Sequence, residues 1–110
     1  MGKHQLGEFE EVVLLTVAIL QGDAYGIAII EEMETRLDRK VSIGALQTVL
    51  RRLEKKGYLK SEFGEATAIR GGKRKRFFAL TQHGRMILQE TKELRLSLWN
   101  AIPDLSLKES

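Results

Sequence analysis

The amino-acid sequence predicts an all-α fold with one small β-hairpin, and three observations lead to that prediction. Four segments carry apolar residues at the spacing of an α-helix. Between the third and fourth segments, a short stretch alternates apolar with polar residues and leads into glycines, which is typical of a hairpin. The length of 110 residues and the hydrophobic content of 43% fit one compact domain.

The first predicted helix covers residues 6–21 and is apolar on nearly every side. A helix with that pattern is buried all round. A chain of 110 residues can hardly supply so much cover, so the pattern indicates a partner subunit. Gly22 is predicted to end this helix and Asp23 to cap the next, because these residue types favour those positions. The second helix, over residues 24–37, has apolar side chains at four-residue steps: Tyr25, Ile29, Met33 and Leu37.

The third predicted helix begins after Ser42, whose hydroxyl can cap it, and runs to about residue 56, where Gly57 stops it. One face forms a stripe that we expect to be buried: Ile43, Leu46, Val49, Leu50 and Leu53. Successive residues turn by about 100°, so the opposite face carries Gly44, Thr48, Arg51 and Lys55, with Gln47 and Arg52 at its margins.

A hairpin and a long helix complete the predicted elements. Strands are predicted over residues 58–63 and 75–80, separated by a loop that contains Gly64, Gly71 and Gly72. Thr81 is predicted to cap the last helix, over residues 82–102, which Pro103 ends. The remaining residues, 103–110, are predicted to be a tail.

Charge is concentrated in one part of the chain. Between Arg51 and Arg76, ten basic and three acidic residues give a local charge of +7, while the rest of the chain carries −4 against a total of +3. Such an uneven distribution of charge is typical of a protein with one surface that binds a polyanion. The alternative is a charged face that only contacts solvent.

The second and third helices, joined by a short turn, predict a helix-turn-helix whose second helix enters the DNA major groove. Its exposed side chains have suitable chemistry, since Arg51 can bind a guanine edge, Gln47 an adenine edge and Thr48 a phosphate or a thymine methyl. Gly44, near the helix start, lets the backbone approach DNA closely. The alternative is that Arg51 and Arg52 are ordinary solvated residues.

The hairpin tip, residues 70–76, packs five positive charges into seven residues with two glycines. This composition suits phosphate contact or insertion into the minor groove. A nuclear-localisation patch or a solubilising loop are alternatives, but the position after a helix-turn-helix favours a DNA-binding wing. Residues 1–81 are therefore predicted to be a winged helix-turn-helix domain that binds DNA through Ser42, Gly44, Gln47, Thr48, Arg51, Arg52, Lys55, Lys73, Arg74, Lys75 and Arg76.

The last helix is predicted to mediate dimerisation. It carries an apolar stripe that needs a partner, and the over-apolar first helix of a second subunit would bury it. A two-fold homodimer would also present two recognition helices to a palindromic operator. The residues predicted at this contact are Phe9, Val13, Ile87, Leu94, Leu98 and Ile102.

Other classes of function are disfavoured. The chain has no cysteine, and its two histidines, His4 and His83, lie far apart in the sequence, so we expect no catalysis, metal or cofactor. The longest apolar run, residues 12–20, is about half of what a membrane span requires. A cytoplasmic location without membrane contact is therefore predicted.

Several motifs resemble the short form of the PadR-like transcriptional regulators: Tyr25-Gly26, residues 42–46, residues 52–59, the wing at residues 71–78, and Leu80-Thr81 followed by Gly84. The resemblance implies a homodimeric, usually repressing regulator that a small molecule or other signal releases from DNA. The family commonly has Tyr-Pro where this chain has Gln47-Thr48. The wing of the family usually carries a pair of aromatic residues, and in this chain the pair is Phe77-Phe78.

The resemblance also bears on Trp99, the only tryptophan. In some short PadR-like regulators a tryptophan of the last helix lines a cavity between subunits, where two indoles can sandwich a planar aromatic effector. Simple packing at the dimer interface is the alternative for Trp99. For the whole chain, the alternatives to a specific regulator are a winged-helix protein-interaction module and a sequence-neutral DNA-binding protein.

Overall fold

The computed structural model describes residues 6–64 and 74–103, which form four α-helices and one two-stranded antiparallel sheet. The elements follow the predicted order, which confirms the all-α fold with a small β-wing. Their bounds are α1 Glu8–Leu20, α2 Gly26–Leu37, α3 Ile43–Lys55, β1 Leu59–Phe63, β2 Arg76–Leu80 and α4 Gln82–Ala101.

Two of the three predicted helix caps are confirmed. The Ser42 hydroxyl accepts a hydrogen bond from the Ala45 amide (3.1 Å), and the Thr81 hydroxyl accepts one from the Gly84 amide (2.9 Å). Each bond satisfies one of the amides that a helix start leaves without an intrahelical partner. Gly57, predicted to end α3, adopts the left-handed conformation with φ of +86° directly after the helix.

The prediction that Asp23 caps the second helix is wrong. The helix begins two residues later, with Tyr25 at the cap position and no side-chain hydrogen bond. The reason is tertiary, since the segment before α2 is extended and adds to the wing. The Phe78 amide donates to the Ala24 carbonyl (2.8 Å), and Tyr25 forms a β-bridge with Phe77.

The core lies where α1, α2 and α3 meet the sheet. It is formed by side chains that solvent hardly reaches, among them Val13, Leu14, Ile29, Met33, Leu46, Leu53 and Leu59. The sheet is registered with Leu59 opposite Leu80 and Phe63 opposite Arg76. This places the inner ends of both strands against the core and carries the hairpin outward.

Two residues predicted at the dimer contact belong instead to this core. Val13 is fully buried and Ile87 is 3% exposed within a single chain, so neither side chain is available to a partner subunit. The sequence pattern could not separate apolar residues that are buried within the chain from those that stay exposed. The remaining apolar side of α1 is in fact uncovered, because Leu15 and Ile19 are exposed.

Ion pairs connect α1 to two other helices. Glu10 is buried, and its carboxylate accepts hydrogen bonds from the Gly7 amide (2.8 Å) and the Lys56 ammonium (2.9 Å). The next residue, Glu11, faces α4 and pairs with the Arg95 guanidinium at 2.6 and 3.2 Å. The first turn of α1 is therefore fixed to the end of α3 on one side and to α4 on the other.

Candidate nucleic-acid interface

The outer face of α3 carries the side chains that the helical rotation predicted. Leu46, Val49, Leu50 and Leu53 are buried beneath it. The predicted DNA-binding residues of this segment are all exposed: Ser42, Gly44, Gln47, Thr48, Arg51, Arg52 and Lys55.

The described part of the wing contributes three exposed cations, while Lys73 lies outside the described residues. The Arg74 guanidinium donates to the Gly64 carbonyl (3.0 Å) at the start of the loop. The Lys75 ammonium lies 4.1 Å from the centroid of the Tyr25 ring, at the start of α2. Arg76, the first residue of β2, lies over the Phe63 ring, with 5.4 Å from its guanidinium carbon to the centroid.

The predicted recognition helix, α3, and the wing line the same open cleft, which has a volume of about 730 Å³. From α3 the lining includes Gln47 and Arg51, and from the wing Arg74, Lys75 and Arg76. The N-terminal end of α2 closes the third side with residues 25–27. Four of these side chains are cationic at neutral pH, so positive charges from α3 and from the wing meet at the same cleft.

The structure does not bring every predicted DNA-binding residue to this cleft. The Arg52 guanidinium lies 3.7 Å from the Glu10 carboxylate, which already binds Lys56. Ser42, Gly44, Thr48 and Lys55 are exposed along α3 without lining the cleft. They remain on the helix surface that flanks it.

Sequence reasoning missed seven residues of the cleft: Tyr25, Gly26, Ile27, Ile43, Leu50, Glu54 and Phe78. Ile43 was expected in the buried stripe but is 44% exposed at the first position of α3. Ile27, in the first turn of α2, is 55% exposed. Helical periodicity gives the direction of a side chain but not whether another element reaches it, so no local signal could have identified these apolar residues.

The predicted contact residues of the last helix lie in two environments. Ile87 belongs to the core, whereas Leu94, Leu98 and Ile102 are exposed, as is Trp99 at 56%. Phe9 of α1 is partly buried against the core of its own chain.

Two other kinds of feature are absent from residues 6–64 and 74–103. None of the helices there is long and apolar enough to cross a bilayer. Within the same ranges, no three His, Cys, Asp or Glu side chains lie together as a metal-binding group.

A helix-turn-helix whose second helix shares a basic cleft with a β-wing defines the winged-helix class of DNA-binding proteins. The model of the transcriptional regulator PadR-like family matches residues 14–90, and the chain therefore belongs to that family. A comparison with curated proteins finds no match.

Solved structures support this assignment. A structure described as the complex of hsRosR-S1 is 25% identical with a TM-score of 0.72, over 93% of this chain and 83% of that chain. A PadR family transcriptional regulator from Eggerthella lenta is 25% identical with a TM-score of 0.65, over 84% and 80%. A transcriptional regulator from Clostridium thermocellum is 26% identical with a TM-score of 0.62, over 80% and 83%.

Proposed function

We propose that the protein is a cytoplasmic, homodimeric repressor that binds a palindromic operator and leaves it when a small-molecule or other signal arrives. The observation that carries this proposal is the shared cleft, in which Gln47 and Arg51 face the same space as Arg74 and Lys75. A duplex seated there touches the recognition helix and the wing together. Membership in a family of transcriptional regulators supports the same conclusion.

Within that interface the two elements have different tasks. Arg51, Gln47 and Thr48 read base edges in the major groove, where arginine matches guanine and glutamine matches adenine. Ser42, Gly44, Arg52 and Lys55 flank them along the phosphate backbone. Arg74 and Lys75 contact phosphates from the wing, so they supply affinity rather than sequence preference.

The homodimer forms through α4 and the uncovered side of α1. Leu94 and Leu98 are each 62% exposed on α4, and Leu15 and Ile19 are exposed on α1. Exposed apolar side chains in such number on two helices of a small protein support an interaction surface there. A second copy of the chain supplies a matching surface, and its two-fold symmetry places two recognition helices against the two halves of a palindrome.

Trp99 offers a site for the effector. It lies on α4 among the proposed dimer residues, and its indole is 56% exposed in the single chain. In the dimer, two such indoles related by symmetry stack on either side of a planar aromatic compound. Titrating a panel of planar aromatic compounds against the fluorescence of this only tryptophan tests the site, and no quenching by any of them rejects it.

Selection on random double-stranded DNA at physiological salt tests the main proposal. A sequence-specific repressor enriches one palindromic motif and prefers it over random duplex by about 10³-fold or more. A sequence-neutral DNA-binding protein enriches no motif, and a protein-interaction module retains no DNA. Either of those outcomes contradicts the proposal.

A further inference from the structure

Three polar side chains from three elements form a closed group beside the cleft: Glu54 of α3, Ser61 of β1 and Arg76 of β2. The Ser61 hydroxyl donates to Glu54 Oε2 (2.7 Å) and accepts from Arg76 Nε (2.9 Å). Arg76 Nη2 donates to Glu54 Oε1 at 3.4 Å, which closes the ring. This group, here called the Glu54 triad, joins the recognition helix directly to both strands of the wing.

The geometry of the triad requires an arginine. The guanidinium presents its Nε–H to Ser61 and its Nη2–H to Glu54, two acceptors on different elements. A planar guanidinium has several donors in fixed directions, whereas a lysine ammonium is a compact point charge on a flexible stem. Both oxygens of the Glu54 carboxylate are used, one for each partner.

The charges around the cleft also favour pairing of Glu54 with Arg76. Glu54 lines a cleft whose other ionisable groups from α3 and the wing are Arg51, Arg74, Lys75 and Arg76. A free carboxylate at this position would repel a polyanion, and the ion pair with Arg76 neutralises it. By contrast, in the described part of the chain no ion pair is found for Arg51 or Lys75, so their charges stay available to phosphate.

We propose that Glu54, Ser61 and Arg76 are positioning residues that hold the wing at the distance from α3 that a duplex requires. Arg76 then acts through the hairpin and not as a phosphate anchor, which replaces the role that the sequence predicted for it. The inference rests on the proposed function, because the positions of wing and helix matter only if both contact DNA.

Glu54→Gln gives the sharpest test, because the two interpretations predict opposite signs. If electrostatics alone governed the cleft, removing a negative charge would strengthen binding to DNA. Loss of the triad instead weakens binding to the selected operator by about three- to tenfold, which corresponds to the net contribution of roughly one ordinary hydrogen bond. Glu62→Gln is the matched control, because Glu62 is an exposed carboxylate on the same strand as Ser61 and takes no part in the triad. Its affinity stays at the wild-type level or rises slightly.

The salt dependence of binding distinguishes positioning from phosphate contact. Each phosphate contact contributes about 0.9 to the slope of log affinity against log salt concentration. Arg76→Gln lowers affinity but leaves this slope unchanged, whereas Lys75→Gln reduces it by about 0.9 per subunit. Arg76→Lys keeps the charge and still fails to restore wild-type affinity, because one ammonium cannot replace the two-acceptor geometry. Restoration by lysine would overturn the inference.

Circular dichroism melting establishes that each variant is folded at the assay temperature. Ser61→Ala keeps every charge and provides a second test should Glu54→Gln not fold, with weaker binding and an unchanged slope expected. Stronger binding by Glu54→Gln, or wild-type binding by Ser61→Ala, overturns the inference and leaves the proposed function standing. If the wild-type protein binds no duplex, the proposed function and the inference fail together.

Discussion

At the residue scale, Gly84 shows how closely α4 approaches the backbone of Tyr58, the residue just before β1. A Cβ built at this position overlaps the backbone carbonyl of Tyr58, which accepts a hydrogen bond from the Thr81 amide (3.1 Å). Because backbone and not a flexible side chain stands in the way, Gly84→Ala forces α4 away from Tyr58. We expect the free energy of unfolding to fall by roughly 1–3 kcal/mol, measured by urea denaturation.

Gly44→Ala is the control for that substitution. Gly44 is also helical, but no atom lies within 4 Å of the position that a Cβ would take there, so alanine meets open space. Its higher helix propensity leaves stability unchanged or raises it by up to about 1 kcal/mol. Equal changes in stability for both variants would show that the contact at Tyr58 does not determine the result.

In the proposed complex, Arg51 is the residue on which we expect base specificity to depend most. Its side chain lines the cleft from α3. Arg51→Ala should cost roughly 1–3 kcal/mol in binding to the selected operator and relax base preference at the position it reads. Repeating the selection on random DNA with the variant measures both effects. Arg85→Ala, an exposed arginine of α4 outside the cleft, should reproduce the wild-type motif.

The sequence could predict those residues whose role depends on local geometry. Ser42 and Thr81 were predictable as caps because the bond each makes spans three residues. Asp23 was mispredicted because a strand far along the chain holds the residues after it in an extended form. Glu54 was missed for the same reason, since its partners lie on the hairpin and nothing in the α3 pattern indicates them.

At the scale of elements, the wing and the recognition helix should respond differently to substitution. Arg74 and Lys75 lie on the hairpin and contact phosphates in the proposed complex, so neutralising them removes an interaction that every sequence offers. Arg74→Gln with Lys75→Gln should weaken operator and random duplex by the same factor and flatten the salt slope. A loss confined to the operator would contradict this division of tasks.

The ion pair between α1 and α3 makes stability depend on pH. Burial raises the pKa of Glu10, but the Gly7 amide, the Lys56 hydrogen bond and the charges of Lys56 and Arg52 together outweigh it, and the pKa is lowered from its ordinary value of 4.5. A lowered pKa means that the folded state favours the carboxylate. The stabilisation is therefore fully present above about pH 4.5 and is lost as the pH falls through the folded-state pKa below that value.

Glu10→Gln tests this link. Near neutral pH the free energy of unfolding of the variant should be lower than that of wild type by roughly 1–3 kcal/mol. This difference should shrink as the pH falls below about 4.5. Urea denaturation across that range measures it. In a Lys56→Met background the same substitution should have a much smaller effect, because the main side-chain partner is gone. A constant difference at every pH would rule out the ionised Glu10 as its cause.

Helical periodicity predicted the helices of this chain well, because each helix buries a recognisable apolar face. It did not predict which apolar residues of one helix are buried in the core and which are exposed. Val13 and Leu15 are both apolar residues of α1, yet the first is fully buried and the second is exposed. The same holds for Ile87 and Leu94 of α4. Only the packing of the complete chain separates residues that stabilise the subunit from residues left for a partner.

At the scale of the whole molecule, the chain is longer than a compact domain of its size. Its radius of gyration is 16.7 Å and its longest dimension is 59 Å, whereas about 13 Å is expected for a compact chain of roughly 100 residues. Of the residues of α4, only Gly84 and Ile87 are buried. Exposed apolar residues in such number on one helix are typical of an interaction surface, which supports the proposed homodimer.

Leu94→Asp combined with Leu98→Asp tests whether that partner is a second copy of the chain. Both leucines are 62% exposed in the single chain, so the folded subunit tolerates the aspartates, whereas an interface would bury two unpaired charges. We expect wild-type protein to be a dimer at micromolar concentration by size-exclusion chromatography with light scattering, and the double variant to be a monomer. Asn100→Asp, turned about 200° from Leu98 on the same helix, should remain a dimer.

The loss of the second subunit should also weaken DNA binding, because half of the contact with a palindromic operator is lost with it. We expect the monomeric variant to bind the operator at least tenfold more weakly than wild type. A wild-type monomer that binds the operator tightly would contradict the two-fold arrangement.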